Sequence, residues 1–271
     1  MTPDGITHFH RLFALIRGTL RPPPGRARLT VAFLYGAMCH AIFAAAVLAM
    51  IAAMFFGMSE SLGRVPAPWS HAVNAALLVQ FPLVHSILLT RRGGRALNGL
   101  APAPYAGTLG TTTYAIVASV QLLLLFAFWT PSGVIWWRAD GLSLVLICIA
   151  YAAAWGLLIK ASYDAGAEVQ SGALGWMSLA QDKKPEFPDM PTTGLFRIIR
   201  QPIYVSFALT TWAVPVWTPD QLAVALSLTT YCLLAPMLKE RRFAKRYGER
   251  FEAYRRIVPY ALPLPKRDRN E

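Results

Sequence analysis

The residues best able to do chemistry in this 271-residue chain fall in two clusters near its C-terminal end. The first runs Thr192-Thr193-Gly194-Leu195-Phe196-Arg197-Ile198-Ile199-Arg200-Gln201-Pro202-Ile203-Tyr204. The second opens at Lys239-Glu240-Arg241-Arg242-Phe243 and continues through Tyr247-Gly248, Phe251, Tyr254 and Val258-Pro259. Two apolar segments separate them. The pattern predicts a basic turn, a short helical hairpin in lipid and a charged amphipathic tail. Both ends of a hairpin lie on one side of a membrane, so the two clusters would meet there. Such a meeting builds a polar pocket where a charged small molecule can encounter an oily or volatile one. Arg197 and Arg200 are three residues apart, on one face of a helix start. There they either snorkel to the interface or capture a carboxylate. Tyr204 is an interface anchor or a pocket wall, Glu240 a solvated carboxylate or a ligand contact. His85 is a structural helix-end histidine or a polar group near a substrate.

The elements that must position these residues are membrane helices. The chain is 55% hydrophobic and only 15% charged, where soluble domains carry about 25% charged residues. Leu29–Met58, Val65–Thr90, Ala96–Trp137, Gly141–Ile159, Gln201–Pro219 and Gln221–Leu238 contain no Asp, Glu, Lys or Arg. A spanning helix needs roughly 20 mainly apolar residues, and these segments are apolar all round, without the polar stripe of a soluble helix. The expected fold is all-α and polytopic, with about six transmembrane helices near Val31–Phe56, Ala72–Leu89, Thr113–Trp129, Leu142–Ile159, Ile203–Trp217 and Leu222–Leu238. Residues 1–28 form a basic N-terminal segment in which Thr7–Leu20 is either a surface-lying amphipathic helix or a solvated tail. Residues 29–160 hold the first four spans. Residues 161–271 hold a cytoplasmic loop, the hairpin and the amphipathic tail. Pro202, Pro215 and Pro236 interrupt the last two spans. Broken backbone at membrane depth is tolerated only beside protein or water, which argues for a protein-lined cavity next to that pair.

The net charge of +12 does not mark a nucleic-acid reader, whose basic residues cluster on a soluble face. Here Arg and Lys sit at the ends of apolar segments. The N-terminus, the 91–95 loop, the 160–200 loop and the C-terminus are rich in them, and the loops near 60, 135 and 219 are poor. The positive-inside rule then places both termini in the cytoplasm. The N-terminus lacks the apolar region of a cleavable signal. Cys39, Cys148 and Cys232 are too scattered for a disulfide framework or a metal site, so no metal is expected. A transporter would place charges within its spans or pair broken helices in matching halves, and neither pattern is present.

The motifs Gly194-Leu195, Arg200-Gln201-Pro202-Ile203-Tyr204, Glu240, Gly248, Tyr254 and Val258-Pro259 resemble, in order and approximate spacing, the integral-membrane methyltransferases of the isoprenylcysteine carboxyl methyltransferase and phospholipid methyltransferase group. His85-Ser86, Thr112-Thr113-Tyr114 and the Asp164–Gly172 segment make the chain most similar to the bacterial methanethiol S-methyltransferase branch. The resemblance implies S-adenosylmethionine as cofactor and a bacterial inner-membrane location. It also implies S-methylation of a small apolar thiol such as methanethiol, taken up beside membrane lipid. Methylation of a prenylcysteine carboxylate or a phospholipid amine, or a non-catalytic scaffold, are the other readings. It implies Arg200, Gln201, Pro202, Tyr204 and Glu240 as cofactor-binding residues and His85 and Arg197 as catalytic ones. Arg200 would hold the cofactor carboxylate and Glu240 its amino or ribose end, one charge at each end of the ligand. Four positions depart from the family pattern: Gln201 stands where it has His, Lys239 where it has the first Glu of a pair, Ser206 where it has the Gly after the motif Tyr, and Phe243 where it has Leu. Gln donates a hydrogen bond as His does but cannot titrate, so position 201 is no general base.

Overall fold

A computed structural model describes residues 4–263. Residues 264–271, the end of the expected tail, lie outside the described part. The fold is all-α apart from one two-residue strand pair, as expected of a polytopic membrane protein. Five helices are long and apolar enough to cross a membrane: α2 (Arg26–Phe55), α3 (Trp69–Leu88), α5 (Ala106–Phe128), α6 (Gly141–Asp164) and α10 (Pro219–Tyr247). Their apolar side chains face outward as well as inward. On α6, Leu142, Val145, Leu146, Ile149 and Ile159 are all exposed, a surface that only lipid accommodates on this scale. The chain is an integral membrane protein.

The remaining helices are short. A basic helix α1 (Asp4–Thr19) packs on α8 (Ala173–Ala180), and α4 (Arg91–Gly99) and α7 (Ala167–Gln170) lie in the connections. The expected span Ile203–Trp217 is a helix only over α9 (Pro202–Trp212). Its 11 residues reach about 16 Å at ~1.5 Å per residue, half of a hydrocarbon core of about 30 Å. Pro215 belongs not to the helix but to the extended run after it. In that run Trp217 and Val216 pair with Trp137 and Arg138, in the connection between α5 and α6. The other departure is α10. It does not stop at Leu238 where the charges begin. It continues unbroken for 29 residues to Tyr247, with Gly248 ending it at φ 53°, before α11 (Glu249–Ile257). The helical hydrogen-bond ladder is indifferent to whether side chains meet lipid or water, so a change in polarity alone does not stop a helix.

One end of the bundle is closed by polar side chains. Asp220, at the start of α10, accepts from Trp129 Nε1 at 3.0 Å, Ser132 N at 2.9 Å and Ser132 Oγ at 2.5 Å. Thr218 donates to the Gly57 carbonyl, and Asn74 exchanges bonds with the backbone of Thr130. The connections after α2, α5 and α9 therefore meet at this end. Next to them Met50, Met54, Met58, Phe81, Leu125, Phe126, Val224 and Leu228 form the main core. The opposite end carries Arg92, Arg95, Lys160, Lys183, Lys184, Arg197, Arg241 and Arg242, against Arg64 and Arg138 here. Reporter fusions after Arg64 and Val134 should therefore report the outside, and fusions after Gly94 and Lys184 the cytoplasm. The reverse pattern at two of these sites would overturn that orientation.

Candidate functional site

The site is built where α9 begins and α10 leaves the bundle. A 3-10 turn, Gly194–Arg197, leads into α9. Gly194 opens it at φ 59°, and a Cβ there would lie 2.2 Å from Asp164 Oδ2. That carboxylate needs the space, because it accepts the Leu195 backbone N–H at 2.8 Å and pairs with Lys160. The end of α6 thus fixes the start of the turn. Helix geometry stops at Arg197 and resumes at Pro202, which takes the first helical position, where its missing N–H costs nothing.

This break separates two residues expected to share a face. Arg197 is exposed and lines no cavity, whereas Arg200 is buried. The intervening backbone runs alongside the chain's last described residues, with Arg200 N donating to Pro259 O at 2.9 Å and Gln201 N to Tyr260 O at 3.1 Å. A catalytic place for Arg197 does not fit this position.

Arg200 and Glu240 do meet, but in direct contact rather than at two ends of a ligand. Arg200 Nε donates to Glu240 Oε1 at 2.8 Å and Nη2 to Oε2 at 3.3 Å; Nη1 donates to the carbonyls of Val258 at 2.5 Å and Arg255 at 3.2 Å. The side chains are 7% and 12% exposed. Four of the five guanidinium donors are occupied by protein, and the expected capture of a cofactor carboxylate by Arg200 finds no free fork. Gln201 Nε2 adds a further bond to Glu240 Oε1 at 2.8 Å, and Gln201 Oε1 accepts from Lys239 Nζ at 3.1 Å. The sequence places Lys239 among family departures; the structure makes it the outward end of a buried chain, Arg200–Glu240–Gln201–Lys239. Tyr254, from α11, braces the same place by donating to the Phe196 carbonyl at 2.6 Å.

Beyond Lys239 lies a cavity of about 400 Å³, within the range of small-molecule sites. It runs from His85 on α3 to Lys239, Phe243, Arg246 and Tyr247 on α10, with Tyr204 and Phe207 from α9, Tyr231 and Cys232 from α10, and Asp189 and Phe187 from the loop after α8. His85 packs its ring against Phe81 at 5.0 Å and Tyr114 at 4.9 Å, and its buried Nδ1 has no hydrogen-bond partner. The other family-like segments hold this arrangement. Thr112 Oγ1 donates to the Gly172 carbonyl at 2.7 Å and accepts from Trp176 N at 2.9 Å, fixing the 165–180 segment on α5. Tyr114 Oη donates to the His85 carbonyl at 3.3 Å. Of the residues singled out in the sequence, His85 and Tyr204 line the cavity. Gln201 and Glu240 stand behind Lys239, and Pro202 is buried at the start of α9. Phe243 and Tyr247 belong to the second polar cluster; Tyr231 and Arg246 were not foreseen. They share a face of α10 with Lys239 only because the helix runs on past Leu238. No group of three or more metal-ligating side chains occurs among the described residues.

Comparison with known proteins finds relatives over most of the chain. A protein of Pseudomonas deceptionensis is 26% identical over 216 residues, 78% of this chain and 81% of its own length; one of Mycobacterium tuberculosis is 29% identical over 208 residues, 75% and 83%. Both are named methanethiol S-methyltransferase. The chain is similar to the methanethiol S-methyltransferases. A protein named nurim, from Xenopus laevis, is 26% identical over 218 residues, 71% of this chain and 73% of its own. No family model matches, and no solved structure does. In the methanethiol S-methyltransferase-like segments, the site is held first by the Arg200–Glu240 pair. Removing one partner of a buried pair typically costs about 3–5 kcal/mol. Arg200→Ala should therefore lower the thermal unfolding midpoint in detergent sharply, and Arg200→Met with Glu240→Leu should recover most of the loss. An unchanged midpoint for Arg200→Ala would show that the pair does not hold this end together.

Proposed function

We propose that this protein is an S-adenosylmethionine-dependent methyltransferase that S-methylates a small apolar thiol, methanethiol being the first choice, giving dimethyl sulfide. The observation that carries the reading is the similarity to proteins named methanethiol S-methyltransferase over three quarters or more of this chain, joined to an aromatic cavity at the membrane edge with an unpartnered histidine nitrogen in its wall. The cavity residues fit the cofactor. Its volume is in the small-ligand range, and the ring faces of Tyr204, Tyr231 and Phe196 suit a sulfonium, which aromatic quadrupoles attract as they do other cations. When bound, S-adenosylmethionine supplies an electrophilic methyl group, so that no metal is needed.

The chain's own residues do the rest. His85 accepts the thiol proton at Nδ1, leaving a thiolate, the nucleophilic form of sulfur. Phe81, Tyr114 and Tyr231 fix its ring and keep water away from it. Tyr204 walls the cofactor end, while Gln201, Pro202, Arg200 and Glu240 fix the turn from which Tyr204 projects. An apolar groove between α3 and α10, lined by Leu78, Pro82, Leu83, Leu234 and Leu238, shares Tyr231 with the cavity. It gives a lipid-dissolved thiol a way in. Both termini face the cytoplasm, where S-adenosylmethionine is made, in a bacterial inner membrane.

The test is headspace gas chromatography over purified protein given S-adenosylmethionine and methanethiol. Dimethyl sulfide should accumulate, and His85→Ala should lower kcat by about 10²–10⁴-fold, the usual worth of a positioned proton acceptor. If thiols stay untouched while a prenylcysteine or an aminophospholipid is methylated, the substrate class is wrong. Binding of S-adenosylmethionine with no methylation of any of the three would instead favour a silent scaffold.

A further inference from the structure

Lys239 is a cation that the fold presents to the cavity without an ion-pair partner among the described residues. Its Nζ sits 5.5 Å from the Phe196 ring centroid, 5.6 Å from Tyr204 and 5.4 Å from Phe243, and donates to Gln201 Oε1 at 3.1 Å. An ammonium has three donors, and one of them is used. Glu240, next in sequence, accepts three hydrogen bonds from Arg200 and Gln201 and makes none with Lys239. Among the described residues no acidic side chain forms an ion pair with Lys239. The only carboxylate lining the cavity, Asp189, is engaged at 2.5 Å by Arg250 from α11. The third charged lining residue, Arg246, is a second cation. A half-buried ammonium facing a cavity of net positive lining wants an anion, since aromatic faces return only part of the lost hydration.

Arg200 cannot supply that anion's site, because its guanidinium is closed on Glu240 and two carbonyls. We infer that Lys239 is the carboxylate anchor of the cavity: it binds the α-carboxylate of the amino-acid end of the cofactor, with Gln201 orienting its Nζ. The inference rests on the proposed use of S-adenosylmethionine. Lys239 then fixes one end of the ligand, so that the amino-acid end meets α10. Phe196, Tyr204 and Phe243 surround the ammonium so that the charge is preset before the ligand enters, which limits the entropy lost on binding.

The test compares two ligands that differ in this one group. Calorimetric titration of purified protein in detergent should show S-adenosylmethionine binding at least ~10-fold more tightly than decarboxylated S-adenosylmethionine, a charge-assisted contact being worth about that much. Lys239→Met keeps the aliphatic stem and should reduce the difference to within about twofold by weakening only the carboxylated ligand; Lys239→Arg should restore it. Equal affinity of the unaltered protein for the two ligands overturns the inference without recourse to any variant. So does an undiminished preference in Lys239→Met. If the unaltered protein binds neither ligand, the cofactor reading itself fails, an outcome distinct from both.

Discussion

The ion pair between Arg200 and Glu240 ties together three stretches that are distant in sequence. Arg200 sits in the turn before α9, Glu240 three-quarters of the way along α10, and the carbonyls of Arg255 and Val258 close the chain's far end over both. A buried charge pair holds only where every donor and acceptor is matched, and this one is nearly so. The guanidinium makes four hydrogen bonds, and the carboxylate accepts from Arg200 and Gln201. The geometry of that match determines which way Gln201 points. Gln201 in turn determines where the Lys239 ammonium lies. The cavity wall is therefore the outer layer of a polar network whose inner layer is structural.

Around this network the fold keeps two different kinds of rigidity. At the opposite end of the bundle Asp220, Thr218 and Asn74 fix three connections by bonds to backbone. In between, packing is apolar and continuous from Met50 to Leu228. Helix α9 is short because it does not have to cross the bilayer alone. Its extended continuation pairs with Trp137 and Arg138, and its Trp217 and Pro215 carbonyls accept from Trp136 N and Ala139 N. The short helix leaves room beside α10 for Tyr204, Phe207 and Tyr231 to face a cavity rather than a neighbouring helix.

Much of this was legible in the residues. Six uncharged segments, loops alternating in Arg and Lys, and two polar clusters flanking a hairpin lead to an all-α membrane protein with its site at one end of the last helix pair. Those features are properties of solvation: a run of apolar residues belongs in lipid whatever its neighbours do, and a cation belongs at the interface. The His85, Tyr204, Gln201 and Glu240 positions were recognisable as motif residues, and the structure brings all four to one region.

What the residues alone could not settle was which charge faces which. Arg200 and Glu240 were expected as two anchors of one ligand and are instead each other's partner, because opposite charges satisfy either arrangement. Only the path of the backbone decides. Gly194 and Asp164 set the turn, helix geometry lapses between Arg197 and Pro202, and Arg200 swings inward while its neighbour three residues earlier goes to solvent. The reach of α10 was hidden for a related reason. Hydropathy ends at Leu238, but the hydrogen-bond ladder does not, and it carries Lys239, Phe243 and Tyr247 onto the face that Tyr231 began. Composition told where each segment's solvent changes; tertiary structure decided which side chains had partners and which was left facing the cavity.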